Sequence, residues 1–357
     1  MLDEIDRAVI HALHLDGRVP FSRIAHVLGV STQTVARRYN RLRAEGALRV
    51  VGLVDVDRVG GGQWLIRLVT EPRVTQQFGY ALARRTDTTY VCLTSTGGEI
   101  VALTRTAAGT GPGHPPLLRD TSLTSRVTGV IAYRLLHTYL GGVTGWQGSR
   151  RALDERQCRE LVADDAAVRG PHGVVDPTAC EDNMALLQAL QRDGRTSQRR
   201  LGASTGWSCA TIARRLADLR AGGYLYFDVE VDRALFGVTT TALLWMSVSP
   251  AQLHQVATAL AGHDDMALVA TTTGPTNLVA HALCTSADHL HHYLTHQLAK
   301  LDGILTLETT LVLRNLMGGS PQPALDPPAA RLPLTSAGVY QIRGNQHASK
   351  RQHAGAA

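Results

Sequence analysis

The strongest constraint on how this chain can fold is a repeat. STQTVARRYNRL occupies residues 31–42 and SCATIARRLADL occupies residues 208–219, 177 positions later. The offset holds across the surroundings, so that 190–225 aligns without gaps on 13–48. Asp16-Gly17-Arg18 is matched by Asp193-Gly194-Arg195, Gly29 by Gly206 and Ser31 by Ser208. A constant offset implies a duplicated unit, and 357 residues exceed one ordinary core at roughly 150 residues per domain.

The first copy reads as three helices. Residues 3–15 place Ile5, Val9, Ala12 and Leu13 at helical spacing, and Gly17 suits a left-handed cap. A second apolar-periodic stretch covers 21–28. In the turn Gly29-Val30-Ser31, the glycine can take positive φ and the serine can cap a third helix over 32–45. On that helix Val35, Tyr39 and Leu42 fall at i, i+4 and i+7 and face inward. Gln33, Thr34, Arg37, Arg38 and Arg41 face outward.

Two helices joined by a glycine-containing turn, the second presenting amide, hydroxyl and guanidinium groups, make a helix-turn-helix that fits a major groove. Arg bonds guanine bidentately, Gln bonds adenine, and further arginines neutralise phosphates. The expected DNA contacts are Ser31, Gln33, Thr34, Arg37, Arg38 and Arg41, with Ser208, Thr211, Arg214 and Arg215 in the second copy. There Ala210 replaces Gln33, Asp218 replaces Arg41 and Thr205 replaces Leu28. The second unit is expected to fold but to bind DNA more weakly or with altered specificity. The bland alternative is a small helical domain whose arginines form a solvated face.

Strand signals follow each helical unit, over 48–56 and 225–231, each leading into a polar hinge. Beyond the first hinge come strand 64–70, helix 75–85, strand 90–95, a glycine hairpin, strand 100–106, helix 116–125 and strand 130–139. Beyond the second come strand 241–248, helix 250–262, strand 267–273, a Gly-Pro turn, strand 276–284, helix 287–301 and strand 304–313. Both runs read βαββαβ, the ferredoxin-like pattern. The fold class is thus α+β: two winged-type helix-turn-helix domains, each followed by a βαββαβ ferredoxin-like domain. The expected boundaries are 1–60, 61–140, a linker with a short helix at 141–180, then 181–237, 238–316 and a disordered tail at 317–357.

Composition narrows the function. Apolar residues make up 44% and charged residues 18%, a folding composition. Net charge is +6, and all but two of the 36 basic residues are Arg, which permits nucleic-acid binding without proving it. The acidic opening MLDEIDRAVI and the lack of an 18-residue apolar run point to a cytoplasmic protein without membrane contact. Five scattered cysteines without a CxxC pair argue against disulfides and cysteine zinc sites. His289, His291, His292 and His296 crowd one helix, yet no Glu or Cys completes a metal set. No nucleophile elbow or P-loop is present. We therefore expect no metal, no cofactor and no catalytic residues.

The run LDEIDRAVIHAL, continued by DGRVPFSRIAHVLGVSTQTVARRYNRLRAEGALRVVGLVDVDRVG and then a βαββαβ domain, resembles the Lrp/AsnC family of bacterial transcription regulators. The likeness covers 2–140 and 180–316 and suggests a tandem form of that regulator. The resemblance implies a DNA-binding transcriptional regulator that self-associates through ferredoxin-like domains, within the chain and between chains. It also implies a small effector, commonly an amino acid, bound near the glycine hairpins. Carried over, the effector positions are Gly97, Gly98 and Glu99, and Gly274, Thr276 and Asn277, where Asn277 lacks the charge that Glu99 could offer an ammonium group. Siroheme decarboxylases share the same pair of domains and place His and Arg around a tetrapyrrole. A decarboxylase-like enzyme using residues such as His137, His254, His263 and His281 is therefore one alternative. A ligand-sensing assembly protein that no longer touches DNA is another.

Overall fold

In a computed structural model, residues 2–55, 61–85, 87–94, 97–106, 117, 126–141, 152–162, 180 and 182–318 are described. The sequence-derived tail beyond 318, and all of the 116–125 helix except Leu117, lie outside them. Helix α1 (Glu4–Leu15) opens with a capping box between Asp3 and Asp6. Helices α2 (Phe21–Leu28) and α3 (Thr32–Ala44) are joined through Gly29 at φ 66°, and Ser31 caps α3 by accepting from the Thr34 amide. The second unit repeats this with α6 (Met184–Arg192), α7 (Gln198–Thr205) and α8 (Cys209–Ala221), Gly206 at φ 78° and Ser208 capping through the Thr211 amide. Between the units, α5 (Glu155–Val162) lies in the chain joining the two halves.

Each three-helix unit ends in a strand, β1 (Leu48–Val54) and β6 (Leu225–Val231). These two strands pair with each other, antiparallel, from Leu48↔Val231 to Val54↔Leu225. The ribbon crosses the units. Val229 and Val231 join the core of the first unit, and Val54 packs against the core of the second.

The repeated Asp-Gly-Arg tripeptides belong to this junction. Arg18 donates to the carbonyls of Gly194 (2.6 Å) and Thr196 (3.2 Å), and Arg195 donates to those of Gly17 (2.8 Å) and Val19 (3.0 Å). Burial lowers the pKa of both guanidinium groups. A Cβ on Gly17 would meet Phe227 at 2.6 Å, and one on Gly194 would meet the Val51 backbone at 3.0 Å. Neither glycine has positive φ. The expected left-handed cap at Gly17 is thus corrected: the residue is small because the ribbon passes against it.

The remaining strands form a closed barrel in the order β10-β3-β4-β2-β5-β8-β9-β7. They are β2 (Gly62–Thr70), β3 (Thr88–Thr94), β4 (Glu99–Thr106), β5 (Val127–Leu140), β7 (Thr240–Val248), β8 (Met266–Thr272), β9 (Leu278–Cys284) and β10 (Ile304–Met317). Strands β5 and β10 are each 14 residues long and join the two halves. Residues 127–134 of β5 pair with β2 and 135–140 with β8, while β10 pairs first with β7 and then with β3. The barrel interior is apolar, with Leu65, Cys92, Val101, Leu243 and Val279 around a Tyr133–Trp245 ring pair 4.9 Å apart. Helix α4 (Thr75–Ala83) covers one outer face, and α9 (Leu253–Ala261) and α10 (Ala287–His292) cover the other. The helix expected over 287–301 is α-helical only to His292 and continues as a π turn and a 3-10 turn to Lys300.

Candidate nucleic-acid interface and the cavity behind it

The capped N-terminus of α3 carries the exposed groups. Gln33 and Arg37 are exposed, and the Thr34 hydroxyl is 2.8 Å from that of Ser31. On α8, Arg214 is exposed at the position of Arg37, and Thr211 and Ser208 repeat the hydroxyl pair at 2.9 Å. The inward residues Val35, Tyr39 and Leu42, and Ile212, Leu216 and Leu219, are buried.

Two further arginines are ion-paired within the unit: Arg41 is exposed, as the outward reading expects, whereas Arg38 is half-buried, which corrects that reading for Arg38. Arg38 is ion-paired with Asp3 and lies 3.3 Å from Asp6, and Arg41 lies 2.5 Å from Asp6. The hydrogen bond to Asp3 holds the Arg38 guanidinium protonated more firmly than usual. The Asp6 carboxylate is fully buried, so these two cations offset its desolvation and pin α3 to α1. In the second unit Arg215 stacks on Trp207 at 4.2 Å and donates to Asn183 at 3.0 Å. It is also a bracing residue rather than a free outward one. Asn183 occupies the position of Asp6, and Asp218 that of Arg41. The cation is therefore lost where its buried acid is lost as well, a coupling that no local reading of α8 reveals.

The hairpin residues are also largely committed. Glu99 is buried; its carboxylate accepts from Arg67 Nε (2.6 Å) and the Thr94 hydroxyl (2.8 Å). Arg67 bonds Glu308 of the other half as well (2.6 Å) and lies over Trp245 at 4.7 Å. Burial disfavours the Arg67 cation, but its hydrogen bonds to Glu308 and Glu99 outweigh that and raise its pKa. Glu99 is thus neutralised inside the protein, and its expected role as a partner for an effector ammonium is corrected. Asn277 clamps Val248, accepting from its amide and donating to its carbonyl, each at 2.8 Å. A Cβ on Gly98 would meet the Thr70 carbonyl at 2.8 Å, which assigns that glycine to close packing. Gly97 and Gly274 are exposed, at φ 72° and 105°, and Thr276 is half-buried.

Sequence reasoning missed a cavity of about 1110 Å³ between the β1–β6 ribbon and the barrel. Arg49, Tyr226, Asp228 and Glu230 line it from the ribbon; Arg105, Arg134, His137 and His281 line it from the barrel. Of the four histidines singled out from the sequence, only His137 and His281 reach it. His254 bonds Tyr139 and His263 bonds Tyr293. His281 is buried, and its Nε2 has no hydrogen-bond partner among the described residues. Burial, reinforced by Arg233, depresses its pKa to about 3. Leu103 takes the matching place in the first half, four residues after Glu99 as His281 is four after Asn277. Among the described residues no group of three or more metal-ligating side chains is found, and no helix is long and apolar enough to cross a membrane.

Comparison with known proteins agrees with this arrangement. The AsnC-type helix-turn-helix domain matches residues 2–43 and again 181–220, and the Lrp/AsnC ligand binding domain matches 241–321. The HTH-type transcriptional regulator Ptr1 of Methanocaldococcus jannaschii is 25% identical over 142 residues, covering 40% of this chain and 96% of its own length. The regulatory protein AsnC of Escherichia coli K12 is 27% identical over 138 residues, covering 38% and 91%. Each thus corresponds to a little under half of the present chain. Among solved structures, the siroheme decarboxylase NirDL covers 88% of this chain and 92% of its own at a TM-score of 0.53 and 13% identity, a likeness of fold alone.

Proposed function

With its helix-turn-helix region repeated and a Lrp/AsnC ligand binding domain in its second half, this chain is a member of the Lrp/AsnC family, and we propose that it is a sequence-specific, one-component transcriptional regulator whose two helical units engage DNA as a fixed pair. The observation that carries this reading is the reciprocal clasp of Arg18 and Arg195 across the ribbon. It joins two DNA-binding helices on one scaffold, which suits half-sites about 10 bp apart or a multiple of that. Gln33 and Arg37 are the proposed base readers of the first unit, with Ser31 and Thr34 at the helix N-terminus facing phosphate. Arg214, with Ser208 and Thr211, gives the second unit a weaker, supporting contact. Arg38, Arg41 and Arg215 act chiefly by holding their helices in place.

A gel-shift on the DNA upstream of the protein's own gene tests the proposal. If about six phosphates are neutralised, affinity falls about 10³-fold between 50 and 200 mM salt. A flat salt response, or no retarded complex, would remove the DNA-binding role. The fold likeness to siroheme decarboxylase sets the rival outcome: a Soret shift on titration with siroheme or haem would favour an enzyme over a regulator.

A further inference from the structure

The cavity between ribbon and barrel is poor in compensating charge. Seven arginines line it against three carboxylates, an excess of four positive charges in a partly enclosed space. Some are matched: Arg49 is paired with Glu230 (2.5 Å) and Arg85 with Asp87 (2.8 Å). Others are not. Arg105 Nε on the barrel wall and Arg233 Nη1, in the turn after β6, are buried without hydrogen-bond partners among the described residues, as is His281 Nε2. Unpartnered buried polar atoms are costly and rare in native proteins, and the three residues that carry these line one space from both of its walls.

The remaining lining is apolar where the barrel core reaches the cavity, at Leu65, Leu103, Leu243 and Leu268. The volume lies just above the usual range of small-molecule sites, about 300–1,000 Å³, and exceeds what a free amino acid would fill. The sign of the lining excludes a metal cation.

We propose that this cavity is a binding site for an organic anion bearing two or more carboxylate or phosphate groups on an apolar or aromatic frame. The anionic groups are held by Arg105, Arg233 and His281, which line both walls, and the frame packs on the leucines at the barrel end. Because the opposite wall is the ribbon that joins the helix-turn-helix units, occupation alters how those units are held. That last step alone rests on the DNA-binding reading.

Calorimetry on the full chain without DNA tests the site, using 2,6-naphthalenedicarboxylate, 2,6-naphthalenediol bisphosphate and the uncharged 2,6-naphthalenedimethanol as probes. The expected result is one site per chain for an anionic probe, at least tenfold tighter than for the diol. Preference between the first two distinguishes carboxylate from phosphate as the recognised group. Arg233→Gln and Arg105→Gln should each weaken the anion at least tenfold. His281→Leu, which places in the second half the residue that the first half already carries as Leu103, should weaken it several-fold in a chain whose circular dichroism and melting are unchanged. Equal binding of anion and diol, no binding by either anion at millimolar concentration, or wild-type affinity in both arginine variants would overturn the site. Gel-shifts with and without the tighter probe then test the coupling. Failure of DNA binding there leaves the calorimetric result standing, so the two readings fail separately.

Discussion

The two halves of the chain share their local design and differ in how they are braced. In the first, a fully buried Asp6 is held by Arg38 and Arg41, and α5 with the residues just before it packs on the helical unit, adding Leu161 and Leu153 to its core. There the Leu153 amide donates to His11 Nδ1 at 3.1 Å. In the second, Asn183 and Asp218 dismantle the charge pair, and Arg215 rests instead on Trp207. The barrel inverts this economy. The first half closes its wall with Leu103, whereas the second places at the same position a buried His281 whose Nε2 has no hydrogen-bond partner among the described residues. The first half thus braces its reading helix with ion pairs, and the second adds a histidine to a cavity that both halves line.

The largest test transplants the difference. Arg41→Asp sets an acid beside the buried Asp6 and is expected to destabilise the chain by about 3–5 kcal/mol in urea unfolding. Adding Asp6→Asn recreates the pair found in the second half and should restore most of that loss. If the double variant is no more stable than the single one, the two positions are not coupled.

Acid stability probes the barrel. The folded pKa of His281, about 3, lies below its unfolded value of 6.5, so its neutral ring contributes stability that is complete above that value. This contribution is lost as pH falls from about 6.5 towards 3, because the unfolded chain then binds the extra proton. His281→Leu should therefore reduce the stability lost between pH 7 and pH 4 by about 3 kcal/mol. Parallel pH profiles for variant and wild type would show that the ring is not held neutral.

The clasp comes next. Arg195→Ala removes two hydrogen bonds to the other half and a guanidinium stacked on Phe21 at 4.3 Å, and should cost about 2–3 kcal/mol. A thermal melt unchanged from wild type would mean that the ribbon alone holds the units together. The smallest effects belong to the DNA surface. Arg37→Ala should cost about 1–3 kcal/mol of operator affinity, and Arg214→Ala less. An equal or larger loss at Arg214 would reverse the ranking of the two reading helices, and equal losses at Arg37 on every DNA sequence would reassign it to phosphate.

Much of the local structure was legible. Gly29 and Gly206 take the left-handed conformation that the turn requires, and Ser31 and Ser208 cap because their hydroxyls lie three residues before an amide that needs an acceptor. The boundaries of β6 are those read from the sequence, while β1 ends at Val54, two residues short. The outward positions on α3 were only half legible. Helical periodicity separates inside from outside by angle, but it is blind to Asp3 and Asp6 on another helix, whose charges draw Arg38 and Arg41 aside.

By itself the sequence determined the repeated helical unit, its caps and turns, and the βαββαβ order of the second half, because each depends on residues within a turn or a strand of one another. Only the tertiary structure decided that β1 pairs with β6, that Gly17 and Gly194 make room for that ribbon, that Glu99 is already neutralised by Arg67, and that arginines of both halves and His281 line one cavity. Those outcomes depend on which surfaces are buried together across some 177 residues of chain, and burial sets whether a charge is solvated, paired or left wanting a partner.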